Sequence, residues 1–118
     1  MEDDQELDLA RALEYALDPS GLPALIDTFM ESLGASRKAL GQALHEQDAQ
    51  EVALQLHAFK GFLPIFAGAS LSATIADLER LAKTGNLDAV QSAWEALAPR
   101  LDRLAWELTR TQQRYHQG

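Results

Sequence analysis

The spacing of apolar residues constrains this chain more than any other feature. Leu22, Leu25, Ile26, Phe29, Met30, Leu33, Leu40 and Leu44 recur at separations of three, four and seven, which places them on one face of an α-helix. Val52, Leu56, Phe59, Leu63 and Phe66 step by four, three, four and three. Leu71, Ile75, Leu78 and Leu81 repeat the pattern, and Leu87, Val90, Trp94, Leu97, Leu101, Leu104 and Leu108 form the longest seam. No strand-like alternation competes with these periods. Asp48 followed by Glu51 reads as a capping-box variant that opens the third segment. Gly68 marks a break near that segment's end, Gly85 an αL cap for the fourth, and Asn86 the N-cap of the last. Pro99 predicts a kink within the last segment. A shorter helix is expected over about Leu7 to Leu17, closing at DPSGLP. Short connections favour antiparallel neighbours. The expectation is therefore an all-α, antiparallel up-down four-helix bundle with a short N-terminal helical extension. It forms one domain over residues 1–118, with 1–6 and 115–118 frayed.

Composition narrows the possible functions. At 47% hydrophobic, 118 residues can bury a core. The absence of cysteine removes disulfides, thiolate metal sites and cysteine nucleophiles and fits a reducing cytoplasm. The acidic start MEDDQELDLA lacks the basic and apolar regions of a signal peptide. No apolar run reaches the roughly 18–20 residues that cross a bilayer. A formal charge of -8 repels phosphate backbones and anionic lipid, so a protein partner is expected rather than nucleic acid or a membrane.

The chemistry concentrates in LHAFKGF, residues 56–62. His57 lies about 100° round the helix from the core residue Leu56, with Lys60 and Gly61 above it at i+3 and i+4. A glycine inside a helix costs about 1 kcal/mol relative to alanine. Its presence one turn from a histidine makes sense if another group must approach the imidazole closely. Phosphoryl transfer fits this arrangement. Neutral imidazole offers a nucleophilic nitrogen, a lysine one turn away supplies a charge for the phosphoryl oxygens, and alignment counts for more than proton relay. The competing reading is an ordinary surface histidine. A metal site from His45, His57 and His116 lacks ligand spacing. No G-x-x-x-x-G-K-[ST] or G-x-G-x-x-G motif is present, so the phosphoryl group must come from another protein or domain. Trp94 and Trp106 read as core or bundle-edge anchors. Arg100, Arg103, Arg110 and Arg114 give the last helix a basic half that complements its dipole and interleaves with nearby acids, with a docking role as the alternative.

HAFKG, residues 57–61, resembles the H-x-[LF]-K-G signature of histidine-containing phosphotransfer (HPt) domains, the four-helix modules of bacterial phosphorelays. Phe29 and Leu33 resemble the family's apolar positions on the preceding helix. Leu71 and the pair Leu78–Glu79 stand where the family has its leucines and its "LE" motif. The resemblance implies that His57 takes a phosphoryl group from the aspartyl phosphate of one response-regulator receiver domain and passes it to another. It implies no turnover chemistry and no cofactor here, with any Mg²⁺ held by the receiver. Lys60 and Lys83 would neighbour the phosphate, and Gly61 would open the surface. Glu79 is left between support of the histidine and an ordinary solvated or structural role. Leu54 and Phe62 are candidate docking contacts. The chain would be a cytoplasmic monomer, free-standing or the C-terminal domain of a hybrid sensor kinase.

The chain also departs from the family pattern. Phe62, Leu63 and Pro64 follow the glycine where small residues are usual, and Ala67 replaces a glycine that here falls one place later, at Gly68. Pro64 cannot donate to the carbonyl of Lys60 and should bend the helix or loosen its last turns. Two rival readings follow: a receiver-binding pseudo-HPt whose histidine is never phosphorylated because that region distorts the helix, and a helical scaffold or dimerisation domain.

Overall fold

A computed structural model describes residues 6–10, 13 and 19–117, with side chains to residue 114. After a 3₁₀ turn at Pro19–Gly21 come four helices: α1 Leu22–His45, α2 Ala49–Phe62, α3 Ala69–Lys83 and α4 Leu87–Gln117. They close into a ring in which α1 packs on α2, α2 on α3, α3 on α4 and α4 on α1. Cross-links along the α1–α4 seam give the direction. Gln112 Nε2 donates to Pro23 O at 2.9 Å and to Asp27 Oδ1 at 2.6 Å, whereas Arg37 pairs with Asp102 at 2.8 Å. Early residues of α1 thus meet late residues of α4, and the pair is antiparallel. The 31-residue α4 spans about 46 Å at 1.5 Å per residue, matching the 47 Å long dimension of the molecule.

Local chemistry fixes the helix ends. Asp48 caps α2 by accepting from Glu51 N at 3.1 Å. Only half of the capping box forms, because the Glu51 carboxylate accepts from Gln55 Nε2 instead. Gly85, at φ +84°, follows α3, and Asn86 Oδ1 accepts from Ala89 N at 3.2 Å to start α4. The connection after α1 turns through Gln47, a non-glycine residue at φ +56°.

The apolar seams converge on one core. Leu22, Ile26, Phe29, Leu33, Leu40, Leu44, Val52, Leu56, Phe59, Leu63, Leu71, Ile75, Leu78 and Leu101 are all buried. A run of rings ties three helices together. Phe29 meets Phe66 edge-on with centroids 4.9 Å apart, Phe62 lies 5.4 Å from both Phe29 and Phe59, and Phe59 meets Trp94 at 5.6 Å. Complete burial of one such side chain contributes about 1.5–3 kcal/mol.

Three expectations need correction. The third segment does not stay α-helical to Phe66. It ends at Phe62, and Leu63–Ile65 form a 3₁₀ turn, since Pro64 has no N–H to continue the ladder. The expected single last helix forms, with Pro99 inside it. Trp94 is a core residue, but Trp106 is 55% exposed. Glu6 and Leu7 are neither frayed nor helical. Leu7 forms an isolated bridge with Ala67, Gly68 N donates to Glu6 O at 2.8 Å, and Asp8 N donates to Phe66 O at 2.6 Å. The amides of Glu6 and Leu7 both donate to Glu107 Oε1 at 3.1 Å. Arg100 holds the Glu6 carboxylate with two hydrogen bonds, Nε to Oε2 at 2.9 Å and Nη2 to Oε1 at 3.0 Å. The rest of the expected Leu7–Leu17 helix lies mostly outside the described residues; Leu9, Ala10 and Leu13 are helical. At the other end the α4 backbone stays helical to Gln117. Among the described residues, no helix is long and apolar enough to cross a membrane.

Candidate functional site

The site is built where α2 and α3 lie side by side. Val52, Leu56 and Phe59 anchor one face of α2 in the core, which turns Leu54, His57, Ala58 and Gly61 outward as an exposed stripe at spacings of three and four. The His57 side chain is 66% exposed. On α3, Ile75, Leu78 and Ala82 are buried, and Glu79 lies on the same stripe with only 3% of its surface exposed. The solvated alternative for Glu79 is thereby excluded.

A buried carboxylate is costly unless it is paired and hydrogen-bonded. Glu79 has three partners. Its Oε2 lies 2.9 Å from His57 Nδ1 and 3.3 Å from Lys83 Nζ, and its Oε1 lies 2.7 Å from Lys60 Nζ. The hydrogen bond from Lys60 pulls its carboxyl down to about 2; burial opposes this, while His57 and Lys83 reinforce it. At neutral pH, Glu79 can therefore only accept. The His57 Nδ1 must then carry the proton it shares with Glu79, leaving the lone pair on Nε2. The carboxylate fixes the tautomer and orientation of an exposed ring, and two ammonium groups stand beside it.

The structure thus brings together four sequence-predicted residues, His57, Lys60, Glu79 and Lys83. Gly61 is exposed next to them, and a Cβ built on it would meet nothing within 4 Å. Nothing inside the protein requires glycine there. Leu54 is 60% exposed, one turn before His57. Phe62 is half-buried and packs against Phe29 and Phe59, so much of its ring belongs to the core. The 3₁₀ turn begins after Phe62, and His57, Lys60 and Gly61 all sit in regular helix. Pro64 does not distort them. His45 closes α1, and the side chain of His116 lies outside the described residues. Among the described residues, no three His, Asp or Glu side chains converge as a metal site.

The family model described as "Hpt domain" matches residues 24–112. No match was found among curated proteins. Among solved structures, the chain is similar to histidine-containing phosphotransfer protein B from Pseudomonas aeruginosa PAO1, with a TM-score of 0.84 and 24% identity over 93% of this chain and 96% of that one. That likeness concerns the fold.

Proposed function

Since the chain belongs to the Hpt domain family, we propose that it carries a phosphoryl group on His57 between the receiver domains of response regulators. The observation that carries this reading is the bond from His57 Nδ1 to the ionised, buried Glu79, which leaves Nε2 as the nucleophile. In the forward step, the Nε2 lone pair attacks phosphorus of an aspartyl phosphate. The N–P bond forms, the P–O bond to the aspartate breaks, and the aspartate leaves as a carboxylate. The proton on Nδ1 stays in place, and Glu79 stabilises the positive charge the ring acquires. Lys60 and Lys83 each have ammonium donors beyond the one directed at Glu79, and these meet the phosphoryl oxygens. The reverse step on a second receiver restores the free histidine, so the protein is a covalent intermediate without turnover chemistry. Mg²⁺ acts in the receiver. Docking uses the exposed α2 stripe, with Leu54 as its apolar contact and the outer edge of Phe62 at its margin.

The test is phosphoryl uptake from a panel of phosphorylated receiver domains by the wild type and by His57→Gln. Acid-labile, base-stable label on the wild type alone supports the relay. Receivers that bind the wild type without labelling it would favour the pseudo-HPt reading, and absence of binding would favour a scaffold.

A further inference from the structure

The C-terminal half of α4 carries a second surface, away from His57. Trp94 lies against Phe59, two residues from His57; Trp106 lies twelve residues further along α4, about 18 Å along its axis. Trp106 and Leu54 are the exposed large hydrophobic residues among those described. The Trp106 indole is flanked by two guanidinium groups from the turns before and after it, with Arg103 Cζ 5.9 Å and Arg110 Cζ 5.0 Å from the ring centroid. Arg103 also reaches Glu107 at 3.7 Å. Among the described residues, Arg110 and Arg114 make no ion pair. A groove of about 410 Å³ runs beside the indole, lined by Thr109, Arg110, Gln113 and Arg114.

A guanidinium stacked on an aromatic ring keeps its in-plane N–H donors free, in a fork that matches a carboxylate. Stacking also restrains a flexible side chain before any partner arrives, which lowers the ordering cost of binding. Arg110 therefore presents a partly ordered, unsatisfied carboxylate-binding edge, Arg114 adds a second cation one turn on, and Trp106 offers an apolar platform between them and Arg103. We propose that this face docks an acidic protein segment whose adjacent carboxylates sit on Arg110 and Arg114 while a neighbouring apolar or aromatic side chain covers Trp106. Charge complementarity selects that occupant. The chain as a whole carries -8, so an extended polyanion such as nucleic acid meets repulsion beyond this small patch. On its other side Trp106 borders Leu7 and Leu9 together with the carboxylate of Glu107; that carboxylate and the net charge of -8 disfavour insertion into anionic lipid. The surface is separate from the phosphoryl site, so one molecule can hold an acidic partner and a receiver together.

The test is fluorescence anisotropy of the whole chain with a short labelled peptide of alternating glutamate and aspartate around one tyrosine. An amide version, with Gln and Asn in place of the acids, is the control. The acidic peptide should bind in a salt-sensitive manner and the control should not. Arg110→Gln and Trp106→Ala should each weaken binding about tenfold or more, the loss of one charge-assisted or stacking contact. Arg114→Gln should weaken it less, and unchanged melting would show that these exposed substitutions leave the fold intact. His57→Gln should bind as the wild type does, so this proposal and the phosphorelay reading can fail independently. Equal binding of the amide peptide, or no effect of Arg110→Gln, overturns the proposal. So does preference for a single-stranded oligonucleotide or phosphatidylglycerol vesicles, or self-association that Arg110→Gln abolishes.

Discussion

Glu79→Gln removes one charge from the centre of the site while nearly preserving shape. The Glu79 carboxyl is pulled from 4.5 to about 2, chiefly by Lys60. Because the folded value lies below the unfolded one, the carboxylate stabilises the fold above pH 4.5, and that contribution disappears as pH falls towards 2. Such a depression corresponds to roughly 3 kcal/mol at 1.36 kcal/mol per unit. Lys60 and Lys83 are 44% and 64% exposed, and solvent screening reduces the contribution to about 1–2 kcal/mol. The amide nitrogen of glutamine donates where the carboxylate oxygen accepted, so at least one partner is lost. Urea unfolding at pH 7 should show Glu79→Gln less stable by about 1–2 kcal/mol with an unchanged m-value. At pH 3, below the unfolded value of 4.5, most of the gap should be gone. A gap that is absent at pH 7, or equal at pH 7 and pH 3, would refute the view that an ionised Glu79 holds the site together.

Three further substitutions probe other parts of the account. Gly61→Ala adds a methyl group that meets nothing in the protein, so it should raise stability by about 1 kcal/mol in thermal unfolding while slowing phosphoryl uptake from receivers. Faster or unchanged uptake would contradict the role given to Gly61. Gln47→Gly relieves the left-handed turn after α1 and should stabilise by about 0.5–1 kcal/mol, measured by the urea midpoint. Phe59→Ala removes the ring that joins Phe62 to Trp94; it should cost about 3–5 kcal/mol and shift Trp94 fluorescence towards that of a solvated indole.

The helices and most of their ends were legible because their causes are local. The three-four spacing of Leu22 to Leu44 records a buried face, and Asp48, Gly85 and Asn86 act on backbone groups within a few residues of themselves. What escaped depends on distant partners. Glu6 falls in the stretch expected to fray, yet it is fixed by Arg100, ninety-four positions away. Trp106 looked like an anchor of the last seam, but the buried face passes through Leu104 and Leu108 and leaves the indole outside. The apolar period overstates the reach of α2, because it continues through Leu63 and Phe66, both buried, after Pro64 has changed the backbone. Within the site, the His57–Lys60–Gly61 spacing was readable from one helix. The burial of Glu79 was readable in principle, since it falls between Ile75 and Ala82 on their stripe. Its three partners could be seen only once α2 and α3 were placed together.

The most direct test of the central claim is the position of the phosphoryl group on the histidine. ³¹P and ¹⁵N NMR of the protein, phosphorylated by an active receiver, distinguishes the two ring nitrogens. With Nδ1 protonated against Glu79, the account predicts a single N–P bond at His57 Nε2, absent in His57→Gln. Phosphate on Nδ1, on another residue, or on none would contradict it.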